Sequence, residues 1–429
     1  MPRLTLALSV LLACSLLTPL LHAAPPPVSL AQLAELTPTQ RANQDWFGFS
    51  IAISGNTVVV GAFDANIESF GKVYVYVKPL SGWANMTQVA TLTASDNGQG
   101  FGTSVAISGD TIVVGAANTS NFERASTPGA VYVFVRSGAN WTDMTETAKL
   151  TASDAQPGDA LGVSVSISAD IIAAGAFFAQ DASGNDFAGK AYVFVRPGSG
   201  WSGNLHETAR LTASDSQLLN YMGASIATNG HTVVAGSYGH NNFQGVGYVF
   251  VKPPTGWANM TQTAELSASD GGTSNDLGFS AAINNGNTIV LGAPGAAHRK
   301  GAGYVYVRPG SGWSNMTETA ELRYSGATQD DSFGQSVAFS GNVVVIGAPS
   351  ATVGGNFGQG AAYVYLKPSN GWRKTTKANA VLSASDGLAN DGFGLSVGIS
   401  GTTFVAGAIG NSHPGAAYVF GRLNADSGR

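Results

Sequence analysis

The chain has 429 residues, a formal net charge of −5, 56 glycines, a single cysteine and only 11% charged residues. One cysteine excludes a disulfide framework, and the absence of a basic stripe removes the electrostatic footprint of a nucleic-acid binder. The turn-rich, sparsely charged remainder suits an all-β protein.

In chain order, the first element reads as an export signal. Met1-Pro2-Arg3 precedes an apolar run from Leu4 to Leu21, then His22-Ala23-Ala24 and a Pro-rich stretch. Residues 1–24 are expected to be a signal peptide cleaved near Ala23 or Ala24, leaving residues 25–429 as one secreted, cell-surface or periplasmic domain. Leu11-Leu12-Ala13-Cys14 resembles a lipobox, so lipidation at Cys14 is the alternative route and the one that makes a membrane a partner. Pro19 and the small-residue cleavage region disfavour a retained anchor.

Leu33-Ala34-Glu35-Leu36-Thr37 comes next and matches Ala264-Glu265-Leu266-Ser267 and Ala320-Glu321-Leu322, which end repeats elsewhere, yet it precedes the first repeat. The repeat phrase is Phe47-Gly48, Phe101-Gly102, Leu161-Gly162, Met222-Gly223, Leu277-Gly278, Phe333-Gly334 and Phe393-Gly394, seven copies in all. Successive glycines are 54, 60, 61, 55, 56 and 60 residues apart, near the upper end of the periods of a propeller blade. Blades are therefore expected to begin near 47, 101, 161, 222, 277, 333 and 393, each a four-stranded sheet.

Within a copy, Phe47, Phe49, Ile51 and Ile53 alternate with Gly48, Ser50, Ala52 and Ser54, a strand with one large and one small face. Ser recurs two residues after the Gly at 50, 104, 164, 225, 280, 336 and 396, so the small face answers a need of the architecture. A Ser54-Gly55-Asn56 type of turn leads into a β-branched second strand ending in Gly-Ala, as in Val60-Gly61-Ala62, with the fourth copy departing as Ala235-Gly236-Ser237. A variable loop and a Val/Tyr-rich third strand such as Val73-Tyr74-Val75-Tyr76-Val77 follow. Trp83, Trp141, Trp201, Trp257, Trp313 and Trp372 mark the turn into the fourth strand and read as structural plugs. The seventh copy stops after Tyr418-Val419-Phe420, without a fourth strand, so residues 33–37 are expected to complete blade seven and close the ring.

Phe-Gly, then Gly-Ala-Pro, then a Val-Tyr strand resembles the FG-GAP repeat of integrin α-chain propellers and of many bacterial exported proteins. The resemblance spans about residues 30 to 423 and implies an all-β, seven-bladed propeller. It does not carry a shared site. In the calcium-binding version of the repeat an Asp/Asn-rich loop joins the first two strands. Here that link is a short turn, such as Ser168-Ala169-Asp170, so neither calcium at that position nor any other cofactor is expected. Asp96, Asp154, Asp215, Asp270 and Asp386, each after Ala-Ser, are expected to accept hydrogen bonds from their own turns.

No catalytic constellation breaks the repeat. His206, His231, His240, His298 and His413 are scattered, and neither a nucleophile elbow nor a His-Glu-x-x-His helix is present. The expectation is a non-enzymatic exported binding or adhesion module whose loop face recognises an extracellular protein or glycan. The alternatives are a glycan-binding lectin and a propeller hydrolase or lyase with a loop-built site. The loops between second and third strands vary most and supply the candidate ligand-face residues: Phe70, Phe122, Arg124, Asp186, Phe187, Tyr238, His240, Phe243, His298, Arg299 and Phe357.

Overall fold

The computed structural model describes residues 30–40, 45–63, 70–117, 127–284, 287–410 and 414–422. The expected leader, with Cys14 and the Ala23 region, lies outside the described residues. Seven sheets follow one another along the chain, with two four-residue helices between strands. In blade 1, Phe47–Ser54, Thr57–Ala62, Lys72–Val77 and Ala90–Thr93 pair antiparallel in that order. The β-branched second strand is buried on both faces, because its sheet is sandwiched between neighbouring blades. The Phe of the repeat phrase is a core residue: Phe101 packs edge-on against Tyr132 and Phe134 of its own third strand.

The four-strand expectation needs an addition. Short segments ahead of the fourth strand in blades 1 to 5 reach back and pair parallel with the fourth strand of the preceding blade. Met144–Thr145 lies on Leu92–Thr93, and Gly203–His206 lies on Ala148–Thr151. Five of the seven sheets are therefore five-stranded among the described residues. In blades 4 to 7 the first strand starts at Ser225, Ser280, Ser336 and Ser396, after the Phe-Gly phrase rather than on it.

Closure occurs where the sequence places it, with a longer strand. Leu30–Thr37 pairs antiparallel with Ala416–Arg422, from Leu30↔Arg422 to Leu36↔Ala417, and bulges between Gln32 and Ala34. The strand begins three residues before Leu33 because Leu30, Ala31 and Gln32 still find ladder partners.

The repeated Ser forms a ring of hydrogen bonds. Ser50 donates to the carbonyl of Gly102, Ser104 to Gly162, Ser164 to Gly223, Ser225 to Gly278, Ser280 to Gly334 and Ser336 to Gly394, at 2.7 to 2.8 Å. Ser396 donates to Gly48 at 2.7 Å and completes the circuit. The small face thus does more than admit close approach: each blade fastens itself to the next blade's Phe-Gly phrase. The Gly of Gly-Ala, or of Gly236-Ser237 in blade 4, is the steric counterpart, since a Cβ on Gly115 or Gly236 would lie 1.9 Å from the Gly162 or Gly278 oxygen.

Two outer fastenings repeat as well. Glu146 accepts from the backbone and hydroxyl of Ser95 at 2.9 and 2.6 Å, and Glu207 and Glu318 do the same for Ser153 and Ser269. Gln32 of the closing strand occupies this position for Ser385 at 3.0 Å. The Ala-Ser-Asp carboxylates are not confined to their own turns. Each also accepts from the next blade's third-strand tyrosine: Tyr132 to Asp96, Tyr192 to Asp154, Tyr248 to Asp215 and Tyr304 to Asp270, at 2.8 to 2.9 Å. Burial alone would raise the Asp96 and Asp154 carboxyls, but bonds from Lys149 and Tyr132, and from Lys190 and Tyr192, hold both below the ordinary value. Asp215 is held low chiefly by His240, against burial and with help from Tyr248.

The Trp expectation fits this packing, with Trp141, Trp201, Trp257, Trp313 and Trp372 buried and Trp83 half-buried. Asn85, Asn259 and Asn315, each in an Asn-Met-Thr sequence, accept the backbone N–H of Glu35, Arg210 and Glu265 in the preceding blade's fourth strand.

Candidate ligand-recognition face

The residue before each Phe-Gly phrase, the residue after it and the residue after Gly-Ala all lie at one end of the inner strands, because the first two strands run antiparallel. The variable loops leave from the same end. The position before the phrase is left-handed in every blade: Trp46 (φ 46°), Gly100 (76°), Ala160 (60°), Tyr221 (55°), Asp276 (58°), Ser332 (58°) and Gly392 (69°). Glycine satisfies that backbone in blades 2 and 7. A non-glycine residue there costs about 1–2 kcal/mol, so Trp46, Ala160, Tyr221, Asp276 and Ser332 are held against their own backbone preference.

In blades 3 to 5 the rings at this end join into a crescent. Phe177 stacks on Phe178 at 3.9 Å, and Phe187 meets Phe178 edge-on at 5.1 Å. Tyr221 lies 6.1 Å from Phe187 and stacks on Tyr238 at 5.0 Å and 11°. Phe279 lies 5.5 Å from Tyr238. Phe243 sits 6.3 Å from Tyr221 and 6.2 Å from Tyr238, 37% exposed at the rim. Phe177 and Phe178 are buried and form the floor, while Phe187, Tyr221, Tyr238 and Phe279 are half-buried. A second group in blade 1 stacks Trp46 on Phe49 at 5.8 Å, with Phe63 at 5.6 Å from Phe49.

The electrostatics here follow burial. It raises the Tyr221 and Tyr238 phenols, the latter with help from neighbouring Tyr221 and Asp276, so both rings stay neutral hydroxyl donors at physiological pH. Burial also raises the Asp276 carboxyl, opposed by Arg299.

The candidate residues divide accordingly. Phe187, Tyr238 and Phe243 come together in the crescent. His240 is taken by Asp215 at 2.9 Å, so it stiffens the loop. Asp186 accepts from Gln180 at 3.2 Å. Arg299 pairs with Asp330 at 2.5 Å beside an exposed His298, both on a left-handed turn in blade 5. Phe70 and Phe357 stand apart, 47% and 67% exposed. Phe122 and Arg124 lie outside the described residues.

Sequence reasoning missed Tyr221, Phe279, Phe177, Phe178, Trp46, Phe49 and Phe63 by looking only inside the loops. The available signal was at the edges of the conserved phrases, where small residues in one copy give way to aromatic ones in another. Among the described residues, the hairpins joining first and second strands are short turns such as Gly55-Asn56. Among the described residues, no three His, Cys, Asp or Glu side chains are grouped to hold a metal ion.

A family model described as FG-GAP repeat matches residues 30–76, 86–134, 144–194, 260–307, 316–365 and 376–420. Each segment opens on the outer strands of one blade and ends in the third strand of the next, as the closing strand and blade 1 do for residues 30–76. The stretch between 194 and 260 holds the departing Gly236-Ser237 copy, which still forms a blade. No curated protein matches the chain.

Proposed function

Since the chain belongs to the FG-GAP repeat family, we propose that it is a non-enzymatic, exported binding module that uses the loop face of its propeller to hold an extracellular protein or glycan. The observation that carries this reading is the aromatic crescent of blades 3 to 5, together with the strained backbone under Tyr221. Packing a blade does not require that ring, because blades 2 and 7 carry Gly at the same place. The left-handed backbone recurs at this position with small side chains, at Ala160 and Ser332, so it is the ring itself that sets Tyr221 apart. Half-buried aromatic rings around an exposed Phe supply rigid contact area at low entropic cost. Export rests on the leader sequence, and the absence of catalytic clustering supports binding over chemistry.

The test is binding of the labelled mature chain to a glycan array and to a panel of secreted and surface proteins. Tyr221→Gly removes a half-buried ring but also relieves about 1–2 kcal/mol of backbone strain, so the fold is expected to survive. Tyr221→Gly combined with Phe243→Ala should abolish capture of whichever ligand the parent binds. Undiminished capture by the folded double variant would exclude the crescent as the binding surface.

A further inference from the structure

The loop face also holds a cleft of about 380 Å³ between blades 1 and 2, away from the crescent. It falls within the roughly 300–1,000 Å³ typical of small-ligand sites. Its walls combine the exposed Phe70 ring with Asp96, Asn97, Gln99, Lys149 and Thr151. We propose that this cleft is a subsite for a single neutral pyranose, a refinement that rests on the loop-face binding reading above.

The cleft forms where no side chain at the first position of the third strand reaches the Asp96 carboxylate. Blade 3's third strand begins with Lys190, whose ammonium reaches Asp154 at 2.9 Å, and in blade 4 His240 covers Asp215. Blade 2's third strand begins with Ala130, as those of blades 5 to 7 begin with Ala302, Ala361 and Ala416, so the space beside Asp96 is left to a ligand.

The Asp96 carboxylate is fixed by Tyr132 at 2.8 Å and by the Lys149 ammonium, which also lies 5.4 Å from the Tyr132 ring centre. A carboxylate offers about four acceptor sites. Tyr132, Lys149 and the backbone N–H of Asp96 itself use three, which leaves one positioned acceptor for a sugar hydroxyl, with the Asn97 amide along the same wall. Phe70 offers a flat apolar face to the C–H side of a pyranose. Asp96 and Lys149 are the charged groups in the lining and are paired with each other, so a charged sugar finds a countercharge only by breaking that pair. A neutral hexose meets no such penalty.

Saturation-transfer NMR and calorimetry on the full mature chain, with glucose, galactose, mannose, fucose and N-acetylglucosamine against glucuronate and glucosamine, test this. At least one neutral sugar should bind in preference to both charged ones. Phe70→Ala should weaken that sugar by about tenfold or more, about 1.4 kcal/mol. Phe70→Trp should retain it, and Tyr221→Gly should leave it unchanged. No neutral sugar bound, a charged sugar preferred, or Phe70→Ala without effect would overturn the subsite. The crescent stands or falls separately, on Tyr221 and Phe243.

Discussion

Gly236 is the sharpest test of how the blades meet. Its backbone is not left-handed, so a Gly236→Ala effect is steric rather than conformational. The added Cβ would lie 1.9 Å from the Gly278 carbonyl oxygen, 2.3 Å from Ser225 Oγ and 2.8 Å from the Gly278 carbonyl carbon. The Ser225 hydroxyl can rotate away, but the Gly278 backbone cannot, because it belongs to the next blade. The blades must separate, and overpacking of this kind costs about 1–3 kcal/mol or more. Ser225→Ala removes only the 2.7 Å bond to Gly278 and should cost about 1–2 kcal/mol. Because separation already breaks that bond, the double variant should be no less stable than Gly236→Ala alone, a coupling equal to the whole Ser225→Ala cost of about 1–2 kcal/mol. Gly310→Ala is the control, since nothing lies within 4 Å of its added Cβ. Urea unfolding followed by tryptophan fluorescence reads all four proteins. If Gly236→Ala shifts the midpoint no more than Gly310→Ala, or if the two losses at Gly236 and Ser225 add in full, the contact reasoning is wrong.

Four other outcomes follow from the packing of the blades. Deleting residues 30–37 should shift the protein toward aggregates on size-exclusion chromatography relative to the parent, because it bares the edge of Ala416–Arg422 and uncovers the partners of buried Ala34 and Leu36. Lys377 occupies the place that Glu318 holds at the preceding junction, since Thr375 pairs with Leu322 as Met316 pairs with Leu266. Lys377→Glu should therefore bond Ser325 and raise stability by about 0.5–1 kcal/mol, and an unchanged midpoint would argue against the transferred register. Asp96, Asp154 and Asp215 have folded values below the ordinary 3.8. Their contribution is complete above that value and is lost as pH falls through the folded ones, so acid unfolding should steepen below about pH 4. Asp154→Asn should flatten that limb. At the other extreme Tyr74 is pushed up to about 12 by burial and nearby Asp45. Stability should hold up to the ordinary phenol value of 10.0 and fall as pH rises toward 12, read by phenolate absorbance alongside circular dichroism.

Much of the architecture is legible in the residues because it depends on local, repeated chemistry. Gly-Asn and Gly-Asp turns set the hairpins, β-branched runs set the buried strands, and seven phrases at blade-like spacing set the count. The strand at Leu33 could be assigned to the last blade because its residues match fourth strands elsewhere and the last copy lacks one. Its start at Leu30 was not legible: pairing of Leu30 to Gln32 depends on how far Phe420 to Arg422 extends opposite. The short parallel fifth strands were missed for a similar reason. Met144-Thr145 has no pattern of its own and becomes a strand only because blade 1 offers an open edge.

The recurring Ser and Asp show both sides of that division. That Ser225 must be small, and that Asp215 belongs to a turn, follows from the sequence alone, since spacing and side-chain chemistry are local facts. That Ser225 grips Gly278, or that Asp215 holds Tyr248 and His240, depends on which blade stands beside it, and only the closed ring brings those atoms within 3 Å. The binding face follows the same rule. Phe187 and Phe243 were visible as loop aromatics, but Tyr221 and Phe279 enter the crescent through the convergence of three blades at one end of their inner strands. Local periodicity determined the blades of this propeller. Packing between blades far apart in sequence decided which side chains share a surface.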